Sequence, residues 1–126
     1  MKTIFHTLSL LLFVHAGAVV AEAVEEEEAL SGRALLVSCE EGAAPGAPNQ
    51  YCMRYIFGLV QIVDRIQQAD PSQKLFCIHP QQVGLPEVTE KTTDWLKSVP
   101  ERLDEDAYKL VSESLHNNYP CQLVDI

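Results

Sequence analysis

Basic residues are scarce in this chain. Lys and Arg number 9 against 18 Asp and Glu, for a net charge of −9. A surface of that sign repels nucleic acid and anionic membranes, so neither is expected as a partner. If the chain binds a macromolecule, a basic protein surface is the natural complement. Glycine is also sparse, at 6 residues. None of it builds a phosphate loop, a dinucleotide fingerprint or a hydrolase elbow. There is no internal repeat. Beyond the N-terminus no apolar run approaches the roughly 20 residues that a membrane span needs.

The N-terminus is a different matter. Lys2 supplies a positive start, and residues 4–14 are apolar apart from His6, Thr7 and Ser9. Small residues follow, and Ala21-Glu22-Ala23 fits the A-x-A pattern of a secretory cleavage site. Val19-Val20-Ala21 offers a second site. Glu25 to Glu28 follow where a spanning helix would have to continue. Residues 1–23 therefore read as a cleaved signal peptide, and 24–126 as one domain delivered to the periplasm. No cysteine follows the apolar stretch to carry a lipid anchor.

All four cysteines, Cys39, Cys52, Cys77 and Cys121, lie in the exported part. An even count in a small exported domain implies two disulfides, and spacing alone leaves three pairings. Four helical segments can be read by period. Residues 25–39 place Leu30, Ala34 and Val37 at helical spacing, with the glutamates at 25–28 either in the first turn or an acidic tail before it. Residues 40–50 hold two prolines and two glycines and form a loop. From about 50 to 68, Cys52, Tyr55, Ile56, Leu59, Ile62, Val63 and Ile66 trace one stripe, predicting the central helix. Gly58 sits inside it, where it costs about 1 kcal/mol relative to Ala, and a close helix–helix contact would justify it. Asp70-Pro71-Ser72 ends that helix. Leu75-Phe76-Cys77-Ile78 is a short extended run, and residues 79–85 are a second loop. Pro86 opens a third helix with Val88, Thr92, Trp95 and Leu96 on one face. Asp104 reads as an N-cap, with Glu105 and Asp106 in the first turn of a fourth helix. That helix carries Ala107, Leu110, Val111, Ser114 and Leu115 inward and ends near Asn118, before Pro120.

The expected fold is therefore all-α, a small four-helix up-down bundle. Helix polarity then chooses the disulfides. Cys39 ends helix one where Cys52 begins helix two, and Cys77 and Cys121 follow helices two and four at the other end. The pairs expected are Cys39–Cys52 and Cys77–Cys121.

The residues also carry a resemblance. Leu30-x-Gly32-x-x-Leu35-x-x-x-Cys39, then Cys52-x-x-Tyr55-Ile56-x-Gly58, then Phe76-Cys77-Ile78 come in order. Trp95-Leu96-x-x-x-Pro100-Glu101-x-Leu103, Ala107-x-x-Leu110-Val111 and Leu115-x-x-x-Tyr119-Pro120-Cys121 complete the series. This ordered set resembles the bacterial Rap/Tai immunity proteins, which protect cells from type VI secretion peptidoglycan amidases. The resemblance implies a non-enzymatic inhibitor. It would occlude an amidase's active-site cleft with a loop, in the periplasm, and could act as a homodimer. The sequence departs from the family pattern at His79, inserted before Pro80, and at Gly84 and Ser114. A small acidic periplasmic chaperone or stress protein, helical and cystine-linked, is the competing reading.

Chemistry of other kinds is less well supported. Cys77-x-His79 could pair a nucleophile with a base, and Cys77, His79, His116 and Cys121 could hold zinc. In an oxidising compartment the cysteines are better spent on disulfides. Asp104, Glu105 and Asp106 are adjacent at a helix start and do not converge as catalytic carboxylates would. No catalytic residue, cofactor or metal is expected. The candidate contact segments are the acidic loop with Glu101, Asp104, Glu105 and Asp106, and the loop with His79, Gln81 and Gln82. Charge slightly favours the first, for a partner with a basic cleft.

Overall fold

The computed structural model describes residues 28–79 and 81–122. The signal peptide expected at 1–23 lies outside them. The described residues form helices α1 (Gly32–Glu40), α2 (Gln50–Ala69), α3 (Leu85–Ser98) and α4 (Ala107–Asn118), with short 3-10 turns at Pro71–Gln73 and Pro100–Arg102. No described helix is long and apolar enough to cross a membrane. Every helix packs against the other three.

Local chemistry explains most of the boundaries. The Ser31 side chain caps α1 by accepting from Ala34 N at 3.2 Å. Asn49 caps α2, its Oδ1 accepting from Tyr51 N at 2.8 Å and Cys52 N at 3.1 Å. Both satisfy orphan donors of a first turn. Between α1 and α2 the chain reverses through Gly42 and Gly46, whose φ values of 64° and 72° suit glycine. Asp70 accepts from the Ser72 amide and hydroxyl and holds the turn at Pro71. Pro86 lies in the first turn of α3.

Leu35, Ile56, Phe76, Leu96, Leu110, Val111 and Leu115 form the centre of the core, with Cys39 and Cys52 among them. The inward face of α4 is the one the sequence implied: Ala107, Leu110, Val111, Ser114 and Leu115 are all buried. So are Val88, Thr92 and Leu96 on α3, while Trp95 packs against the core from its edge. The disulfides are Cys39–Cys52 and Cys77–Cys121.

Five expectations need correction. Helix α1 begins at Gly32, not near residue 25, because the Ser31 cap sets its start. Its buried face is Gly32, Leu35 and Cys39, and Val37 is 62% exposed. Nine residues make only two and a half turns, too few for the period alone to identify the inner face. On α2 the apolar stripe is wider than its contact: Cys52, Ile56 and Val63 are buried, but Ile62 and Ile66 are 60% and 53% exposed. Gly58 has open space about it, with nothing among the described residues within 4 Å of where a Cβ would sit, so no described helix explains it. Finally, Asp104 is not the cap of α4. The Pro100–Arg102 turn uses up residues, and the cap position falls at Asp106.

The start of α1 lies against the entrance to α4. Gly32 N donates to Glu105 O at 2.9 Å, Arg33 N to Leu103 O at 2.7 Å, and Ala107 N to Leu30 O at 2.7 Å. Amides of both first turns thus find backbone partners across the molecule. Gly32 permits the approach: a Cβ there would collide with Leu110 Cδ1 and stand 3.2 Å from the Leu103 carbonyl oxygen.

Candidate partner-binding site

The acidic loop between α3 and α4 is a braced structure. Arg102 is its hub. Its Nε donates to Glu105 Oε1 at 2.8 Å, and its Nη1 and Nη2 donate to Glu113 Oε1 and Oε2 at 2.9 and 2.7 Å. The fork of a guanidinium matches a carboxylate in this way. Its cation also stands over the Trp95 ring, 6.0 Å from the centroid. The hydrogen bonds from Arg102 hold the Glu105 and Glu113 carboxyls below the ordinary glutamate range. The same bonds, to Glu113 first and Glu105 second, push the guanidinium's own proton affinity up.

The other acids of the loop divide by partner. Asp104 accepts from Arg33 Nε at 3.0 Å, yet its side chain is 84% exposed. Asp106 pairs with Lys109 at 3.2 Å, and this hydrogen bond raises the lysine pKa. Glu101 is exposed and makes no ion pair among the described residues. Of the four candidate acids, Glu101 and Asp104 therefore present most negative charge outward, while Glu105 and Asp106 are engaged along the chain.

The second candidate loop begins at a strap, residues 74–79, laid across α2 and α4. Gln67 Oε1 accepts from Leu75 N at 2.6 Å and Phe76 N at 3.1 Å. Phe76 is plugged into the core, and Cys77 N donates to Tyr119 O at 2.8 Å. The His79 carbonyl then accepts from Gln82 N and Val83 N, closing a turn. His79, Gln81 and Gln82 are exposed. His79 and Gln82 line an open cleft with Cys77, Tyr119 and Gln122. The two candidate loops are thus both exposed and both anchored, and the cleft beside His79 and Gln82 is lined by no residue of the acidic loop.

Sequence reasoning did not reach Arg102, Glu113 or Gln67. Arg102 and Glu113 lie on different elements, and the Gln67 clamp joins a helix to a loop eight and nine residues on. Neither spacing carries a local signature. The zinc and nucleophile readings are closed chemically, since Cys77 and Cys121 are bonded to each other. Among the described residues no group of three His, Cys, Asp or Glu side chains is placed to hold a metal ion.

No curated protein and no solved structure matches the chain. A family model does, across residues 31–121, from the Ser31 cap to the second cysteine of the Cys77–Cys121 disulfide. That span holds all four helices and both disulfides, and the chain belongs to the family of Rap1a immunity proteins.

Proposed function

We propose that this protein is a periplasmic immunity protein that binds a type VI secretion peptidoglycan amidase and inhibits it by covering its active-site cleft. The family match over 31–121 carries this reading. The contact segment is the acidic loop, with Glu101 and Asp104 as its outward charges. Arg102 supports that choice, because a loop already fixed by ion pairs loses little freedom on binding. Negative charge at the contact draws in a partner with a basic cleft. The loop at His79, Gln81 and Gln82 is the secondary contact.

The inhibitor works as a homodimer. Tyr51, Gly58, Ile62 and Ile66 fall on one stripe of α2, at offsets of 7, 11 and 15 residues from the first, with the half-buried Tyr55 at its inner edge. A second copy packed there would cover Ile62 and Ile66 and give Gly58 the close approach that the single chain does not supply.

The test is direct. The purified protein should bind the type VI peptidoglycan amidase encoded in the same genome and stop it from digesting peptidoglycan, while hydrolysing nothing itself. Binding without inhibition would remove the occlusion mechanism, and no binding would remove the amidase as partner. Sedimentation of an Ile62→Glu/Ile66→Glu variant should show a folded monomer. A wild-type monomer at tens of micromolar would dispose of the dimer.

A further inference from the structure

The two disulfides sit in opposite environments. Cys39 and Cys52 are 2% and 0% exposed, although Cys39 borders a surface cleft with Pro45, Glu90 and Lys97. Cys77 and Cys121 are half-buried, and Cys77 lines the open cleft with His79, Gln82 and Gln122. Thiol–disulfide exchange requires a thiolate to reach a disulfide sulfur, so only the second bond is placed to react in the folded protein.

The segments that this bond joins are otherwise held by the packing of Ile78, Val83 and Tyr119 and by few hydrogen bonds. Upstream, Phe76 is fixed by burial and by Gln67. From Cys77 to the start of α3, the described backbone hydrogen bonds are Cys77 N to Tyr119 O and the internal turn on the His79 carbonyl. Leu35, Ile56, Leu96, Leu110 and Leu115, on all four helices, form the core with Cys39 and Cys52, and neither Cys77 nor Cys121 is part of it.

We propose that Cys77–Cys121 is a redox-sensitive latch that orders the loop at residues 77–84 and can be opened by a dithiol while the four-helix bundle remains folded. One thiolate of the dithiol attacks a sulfur of the bond. The S–S bond breaks, the other cysteine leaves as a thiolate, and a mixed disulfide forms. The second thiol of the dithiol attacks that mixed disulfide and releases the remaining cysteine. The protein bond gains two electrons and two protons, and the dithiol loses the same as it closes into its own disulfide. The loop then loses its covalent tie to the segment after α4 and keeps only the Cys77 N to Tyr119 O hydrogen bond there. The effect on amidase binding rests on the function proposed above, with this loop as the secondary contact.

Dithiothreitol applied to the native protein, with alkylation and peptide mapping, reads the latch directly. Cys77 and Cys121 should be labelled at least about tenfold faster than Cys39 and Cys52. Far-UV circular dichroism should keep its helical signal. Hydrogen exchange should speed up at residues 77–84 and 119–122 and stay unchanged in α1, α3 and the first half of α2. A Cys77→Ser/Cys121→Ser variant, which carries no thiol to re-oxidise, should show the same exchange pattern. Opening of both disulfides at one rate, loss of helix on reduction, or unchanged exchange in the loop would each overturn the latch. Reduction should also weaken amidase binding several-fold, whereas an oxidised protein that fails to bind the amidase contradicts the proposed function and leaves the latch to the labelling and exchange results.

Discussion

Arg102 holds Glu113 from the far side of the α3–α4 turn in a two-pronged ion pair, Nη1 to Oε1 at 2.9 Å and Nη2 to Oε2 at 2.7 Å. The same guanidinium holds Glu105, so one cation fixes the shape of the acidic loop and ties it to the side of α4. This has a pH signature. Both carboxyls are held below the glutamate reference of 4.5. A depressed carboxyl contributes stability that is present above its unfolded pKa and is lost as pH falls through its folded one. Arg102→Gln should therefore lower the urea midpoint above about pH 5, and the difference from wild type should shrink toward about pH 3. A difference that stays constant with pH would show that Arg102 acts through its stacking on Trp95 alone.

Two glycines in helices should respond in opposite ways to alanine. Gly32→Ala drives a methyl into Leu110 beside the fixed Leu103 carbonyl, and overpacking of this kind destabilises by about 1–3 kcal/mol. Gly58→Ala meets nothing within 4 Å and gains helix propensity, so the dilute protein should be stabilised by about 0.5–1 kcal/mol. Urea unfolding of both variants at low protein concentration measures this. Equal signs would mean that the close approach at Gly32 is not what fixes α1 to α4.

The disulfides should differ in what they stabilise. By loop closure, Cys39–Cys52 with a separation of 13 and Cys77–Cys121 with a separation of 44 are worth about 3 and about 4 kcal/mol. The first sits in the core, and its replacement also buries a serine hydroxyl and leaves a small void where the second sulfur was. Cys39→Ser/Cys52→Ala should therefore be the more damaging pair, with loss of cooperative unfolding in near-ultraviolet dichroism. Cys77→Ser/Cys121→Ser should lower the midpoint yet unfold cooperatively. The reverse order would place the weight of the fold on the strap.

Glu101 gives the cleanest test of the contact loop, because it makes no ion pair among the described residues and its replacement disturbs none. Reversal at Glu105 would break the hub as well as the surface charge. Glu101→Lys should slow association with the amidase by roughly tenfold at low ionic strength, with the gap narrowing at about 0.5 M salt. Stopped-flow or surface-plasmon measurements at two salt concentrations read this. If Glu101→Lys binds at the wild-type rate in low salt, the contact lies elsewhere, and Gln81→Ala/Gln82→Ala tests the second loop.

What the sequence determined by itself was everything with a local cause. The helical period of α4 places Ala107, Leu110, Val111, Ser114 and Leu115 inward, and all five are buried. Proline and glycine mark the loops, and cysteines at opposite helix ends specify the pairing that the structure contains. What only the tertiary structure decided are relationships between distant residues. Period alone gives α2 an apolar stripe wider than the space its neighbours have to cover, so it is packing that leaves Ile62 and Ile66 outside. The short α1 has too few turns for its period to identify its inner face, and the backbone bonds from Gly32 and Arg33 to the α4 entrance do so instead. Arg102 looks like any surface arginine in sequence. It becomes the hub of the acidic loop because the turn after α3 brings Glu105 and Glu113 within reach of its two faces, and no spacing rule encodes that turn.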